Sequence, residues 1–159
     1  MNISGIHIAA PNLCTLCVDA WNGGNGEGRL YNYYSEMPQR FVSQYDALKK
    51  IDDLCDRLNY PQAAEQPRSF AKAAAAPVQR KKVEKCMSKD KLLEPRGKMA
   101  TFVVHVMYRQ NATWQGSVTW AEKDQKANFR SALELIKLMD SAVESTLPPE
   151  EPEKGGDAQ

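Results

Sequence analysis

When the chain is offset by 88 residues, two of its segments fall into register without a gap, and this internal match limits the possible folds. Val18 lies on Val106, Gly28 on Gly116, Phe41 on Phe129, Ser43 on Ser131, Lys49 on Lys137 and Asp52 on Asp140. Apolar character also matches at Leu16 and Val104, Leu30 and Val118, Leu48 and Ile136, and Cys55 and Val143. A chain that carries one unit twice must explain how a single small unit hides its apolar face.

The second copy shows the unit clearly. Thr101 to Tyr108 is a strand by composition, with Phe102, Val104, Val106 and Tyr108 on one face. Gln110-Asn111-Ala112 is a turn, and Thr113 to Ala121 returns with Trp114, Gly116, Val118 and Trp120 alternating. After a polar connection from Glu122 to Ala127, Ser131 and Glu134 have capping-box spacing, and Leu133, Ile136, Leu138, Met139 and Val143 form a helical stripe. The first copy follows the same plan. Leu13 to Ala20 is a strand, Trp21 to Glu27 a Gly/Asn-rich loop, and Gly28 to Tyr34 the return. Pro38 interrupts, and Ser43 with Asp46 repeats the cap of a helix ended by Asn59-Tyr60-Pro61.

One hairpin with one helix cannot bury enough surface to stand alone, but two can share a core. The expected fold is α+β: two pseudo-repeated ββα units, one antiparallel sheet of four strands, and two helices on one face, with Ile3, Ile6 and Ile8 as an added edge. The first unit spans 1–67 and the second 99–146. Between them, 68–98 is an Ala/Lys-rich linker or helix, with ten basic and three acidic residues. Residues 147–159 read as a disordered acidic tail.

No catalytic motif stands out. The glycine-rich run from Asn22 to Gly28 lacks the following Lys-Ser/Thr and leads into a strand, so it does not cradle phosphate. Cys14 and Cys17 form a C-x-x-C without a second pair of ligands, which points to buried thiols rather than zinc or redox chemistry. His105 stands at the repeat position of Cys17, the one pairing from which thiol–imidazole chemistry could be built. No cofactor and no metal is expected. The amino terminus has no basic, signal-like start, and no apolar run is long enough for a membrane helix, so the expected location is the cytoplasm.

Binding chemistry is better represented. Arg109, Gln110, Asn111, Trp114 and Gln115 cluster on one hairpin, and Trp and Arg are frequent interface anchors. These five are the candidate partner-binding residues. Arg80, Lys81, Lys82, Lys85 and Lys89 supply charge for a nucleic-acid backbone and make up the alternative site. A small-ligand or nucleotide site between the two units is a second alternative.

The stretch Tyr108-Arg109-Gln110-Asn111-Ala112-Thr113-Trp114-Gln115-Gly116-Ser117-Val118-Thr119-Trp120, followed by Phe129-Arg130-Ser131-Ala132-Leu133-Glu134-Leu135, resembles a family of short proteins carried on mobile genetic elements of gut-dwelling Gram-positive anaerobes. Gly28-Arg29-Leu30-Tyr31 and Asn59-Tyr60-Pro61-Gln62 resemble a module that precedes it. The resemblance brings no chemistry with it. It implies accessory cargo of a plasmid, conjugative element or prophage, which often regulates or counters host defence. The expected function is a non-enzymatic protein that binds a macromolecular partner, most simply a protein, with inhibition of a host defence nuclease as one form.

Overall fold

A computed structural model of the chain describes residues 6, 8–63, 70, 84–110 and 113–148. Ile3, the alanine run 71–76, Arg80, Lys81, Lys82, Asn111 and the tail beyond 148 lie outside the described residues. Among the described residues the order is β1 (Cys14–Asn22), β2 (Asn25–Tyr31), β3 (Gln39–Phe41), α1 (Gln44–Leu58), α2 (Lys89–Leu93), β4 (Ala100–Tyr108), β5 (Gln115–Trp120), β6 (Gln125–Phe129) and α3 (Ala132–Thr146). A single 3-10 turn, Ala121–Lys123, joins β5 to β6.

The fold is α+β with an antiparallel sheet, but the sheet has six strands in the order β3-β2-β1-β4-β5-β6, not four. The extra strands are the segments taken as the Pro38 interruption and the polar connection. β3 is only three residues long. β6 is an edge strand whose Gln125, Lys126 and Asn128 are exposed, so only Ala127 and Phe129 hint at alternation. Each half therefore runs βββα. Ile6 lies outside any strand and packs on the sheet instead of extending its edge.

Corresponding positions pair alike in the two halves. Val18 faces Gly28 and Gly28 faces Phe41; Val106 faces Gly116 and Gly116 faces Phe129. At both glycines a Cβ would collide with a neighbouring backbone carbonyl, that of Cys17 in one case and of His105 in the other, with the phenylalanine ring close by. Only glycine admits the strands and the ring at that spacing. Ser43 and Ser131 cap α1 and α3, each accepting from the backbone N–H three residues on. At the central seam, β1 pairs with β4 from Cys14–Val104 to Val18–Ala100. Exchanging residues 88 positions apart sends Cys14–Val104 onto Leu16–Phe102 and leaves Thr15–Val103 in place.

The two faces of the sheet are covered differently. α1 and α3 share one face and close a core built from Leu16, Leu30, Phe41, Ile51, Leu54, Phe102, Val104, Phe129, Leu135 and Val143. On the other face the segment from Glu84 to Lys98 forms a strap. Leu92 buries itself with Leu13, Tyr33 and Val103, and the Thr15 hydroxyl donates to the Leu92 carbonyl at 2.8 Å. Arg29 binds Asp19 through two nitrogens, at 2.8 and 3.1 Å, and also donates to the Arg96 carbonyl. Of the helix expected within 78–93, the described part is one short turn, Lys89–Leu93, capped by Ser88.

The expected Trp21–Glu27 loop is a tight turn. Its strands run on to Asn22 and Asn25, and Gly23 and Gly24 take the left-handed conformations that a two-residue hairpin demands. Gln44 fastens it, accepting from the Gly26 N–H and donating to the Gly24 carbonyl and to Asp140 of α3.

Candidate functional site

The hairpin joining β4 and β5 carries the residues expected to meet a partner, and its geometry depends on an irregularity in β4. Val106 faces Gly116 while Tyr108 faces Gln115, so Met107 is an extra, bulged residue. A bulge reverses the alternation beyond it. Tyr108, which a regular strand would place in the core, is 50% exposed, and Arg109 turns toward α1 instead.

Arg109 is correspondingly withdrawn from the surface: it is 6% exposed, which corrects its expected place in a partner contact. Its Nε donates to the Pro61 carbonyl at 2.7 Å, and one terminal nitrogen reaches Asp52 at 3.2 Å and Asp56 at 2.6 Å. The two carboxylates stand one turn apart on α1, so a single guanidinium spans both. Burial, and then the neighbouring Asp56, push the Asp52 carboxyl above its ordinary range, with Arg109 opposing them. Ala63 also bridges to Arg109 through the backbone.

This clamp sets the segment Tyr60–Ala63 beside the hairpin, although some fifty positions separate them in the chain. The resulting surface is aromatic and rich in amides. Tyr60 and Tyr108 are exposed at 42% and 50%, Gln62, Gln110 and Gln115 are exposed, and Trp114 is half-buried against the core. Of the expected partner residues, Gln110, Trp114 and Gln115 therefore lie at this tip, Arg109 supports it from beneath, and Asn111 lies outside the described residues. Tyr60, Tyr108, Asp52 and Asp56 were not singled out from the sequence. The available signals were the acidic i,i+4 pair and the Asn59-Tyr60-Pro61-Gln62 motif.

The expected nucleic-acid residues are dispersed. Arg80, Lys81 and Lys82 lie outside the described residues. Lys85 is exposed with its ammonium 4.7 Å from the centre of the Tyr33 ring, and Lys89 is half-buried on the strap. Lys91 and Lys98 are exposed on the same strap.

The thiols are placed for packing. Cys14 and Cys17 lie in one strand three residues apart and so point to opposite sheet faces. Burial pushes all three strand and helix thiols up, Cys17 to about 12 and Cys55 to about 11, so none is a thiolate at neutral pH. The expected neighbour is not beside Cys17 either: Cys17 faces Thr101, four residues along β4 from His105. Burial, followed by the charge of Lys126, holds His105 below its ordinary range, and its buried Nε2 has no partner among the described residues. The space between the helices at Leu16, Trp21, Gln44 and Met139, where a ligand between the halves would sit, is about 10 Å³, room for one water at most.

Among the described residues, no group of three or more His, Cys, Asp or Glu is placed to hold a metal ion, and no helix is long and apolar enough to cross a membrane. Compared with protein-family models, with curated proteins and with solved structures, the chain finds no match in any of the three.

Proposed function

We propose that this chain is a non-enzymatic, cytoplasmic accessory protein of a mobile element that binds a protein partner through the tip formed by Tyr60, Tyr108, Gln110, Trp114 and Gln115. The observation that carries the reading is the rigid convergence of exposed aromatics on one uncharged tip, held by a buried Arg109. Tyrosine and tryptophan bind at low cost in lost side-chain freedom, and a preorganised backbone lowers that cost further. In this reading the two halves are copies of one βββα unit, supported by their matched strand registers, caps and glycines. The resemblance to mobile-element cargo supports one concrete form, occlusion of a host defence nuclease.

The test is capture from a bacterial lysate with the intact protein and with a Tyr60→Ala/Tyr108→Ala variant. A stoichiometric protein held by the first and released by the second supports the reading. No stoichiometric partner, or capture indifferent to the substitutions, overturns it.

A second reading, nucleic-acid binding, is favoured by one observation: the strap is anchored to the sheet while exposing Lys85, Lys91 and Lys98. It requires affinity that falls steeply with salt and drops when Arg80, Lys81, Lys82 and Lys85 become Ala. Salt-indifferent binding removes it.

A further inference from the structure

A cavity of about 310 Å³ opens between α3 and strands β5 and β6, lined by Phe102, Val118, Trp120, Leu138 and Ala142, with Ser145 near the end of the helix. It lies at the Phe102 end of β4, away from the Arg109 tip, and its case stands apart from that of the tip. Three observations bear on what it takes.

The first is a comparison within the molecule. The position of Ala142 corresponds to Leu54 in the first half, where a leucine is 1% exposed and fills the core. The second half carries a methyl at that place and leaves the space open. Its volume is at the lower end of small-molecule sites, roughly 300–1,000 Å³.

The second is an unmatched donor. The Trp120 Nε1–H is shielded from solvent and has no acceptor. A buried donor without a partner destabilises the chain by about 1–3 kcal/mol, so an occupant that supplies an acceptor is favoured.

The third is the absence of directed charge. Lys126 borders the cavity, but it sits opposite Thr119 in the ladder and its charge is felt by His105 on the other face of the sheet. The remaining groups around the space are apolar or neutral. The Ser145 hydroxyl donates to the Ala142 carbonyl at 2.7 Å and is already engaged.

We propose that this cavity binds a small uncharged molecule with an apolar, ring-sized body and one hydrogen-bond acceptor that meets Trp120 Nε1. Acetophenone is a suitable probe, and ethylbenzene is its match without the acceptor. The readout is the indole N–H resonance of Trp120 in the full-length protein, assigned by its loss in Trp120→Phe, with the Trp21 and Trp114 resonances as internal references. Acetophenone shifts the Trp120 resonance saturably and leaves the other two in place. Ethylbenzene binds roughly two- to tenfold more weakly, the worth of one net hydrogen bond. Ala142→Leu, which copies the first half, abolishes the shift while the Trp21 and Trp114 resonances keep their folded positions. If that variant does not fold, Ser145→Leu at the exposed end of the helix gives the same loss. No saturable shift up to the solubility of acetophenone overturns the proposal. Equal binding of both probes, or binding unaffected by whichever of the two substitutions folds, overturns it too.

Discussion

Arg109 shows how far one side chain can depart from the role its type implies. It sits in a motif rich in interface residues, yet it spends its donors on Pro61, Asp52 and Asp56. Arg109→Met should lower unfolding stability by about 1–3 kcal/mol in urea titrations, because a buried carbonyl and the end of α1 lose their partner. The two carboxylates should respond unequally. Asp56→Asn should cost less than about 1 kcal/mol, since that side chain is half exposed and screened. Asp52→Asn should be near neutral at pH 7, because its charge is held against burial and against Asp56. Equal losses from the two would contradict this account. Asp19 is the opposite case. The hydrogen bond from Arg29, against some burial and with help from the Lys98 N–H, lowers its carboxyl below the ordinary range. Its contribution is therefore present above about pH 4 and is lost as pH falls through the lowered folded value. Melting temperature measured against pH should show a flatter acid limb in Asp19→Asn. In Asp52→Asn the limb should steepen, because protonation of a carboxyl held above its ordinary range favours the folded chain. None of this was legible in the sequence: a single bulge at Met107 decides which of Tyr108 and Arg109 faces inward, and nothing in the residues Val106-Met107-Tyr108 announces it.

At the level of elements, what the sequence made plain was what repeats. Ser43 with Asp46 and Ser131 with Glu134 marked both long helices, since a cap is a local exchange of hydrogen bonds that needs no tertiary context. Ser43→Ala and Ser131→Ala should each cost about 1 kcal/mol, and the double variant should cost their sum, as measured by chemical denaturation. A large departure from additivity would mean that the two helix starts are coupled. The hairpins were also legible, through alternation. The outer strands β3 and β6 were not, because an edge strand exposes much of its side-chain surface and its polar residues hide the period of two. The glycine-rich turn was mistaken for a loop for a related reason: type I′ geometry and a flexible loop call on the same residues. Gly28 and Gly116 offer the sharper test. Either one changed to Ala forces a Cβ onto a neighbouring carbonyl, and each should destabilise the protein by more than about 2 kcal/mol and broaden its amide spectrum.

For the whole molecule, the shared core was the central expectation, and the structure supplies its seam. Leu16, Phe102 and Val104 meet along β1 and β4, and both helices draw on the same apolar cluster. Residues 1–67 alone, or 99–159 alone, should therefore be largely unfolded by circular dichroism, whereas an equimolar mixture should regain the folded spectrum. Folding of either piece alone would sink this view. The candidate site was only half legible at this scale. The Trp-rich hairpin stood out, but its companion Tyr60 is recruited from the other half by a contact across some fifty residues, which no local pattern encodes.

That seam carries a thermodynamic consequence. Joined by residues 64–98, the halves meet at a fixed effective concentration, so the melting point should not change on dilution. Once the peptide is cut within 64–83, the same contacts become an association governed by mass action, and the melting point should fall with each tenfold dilution.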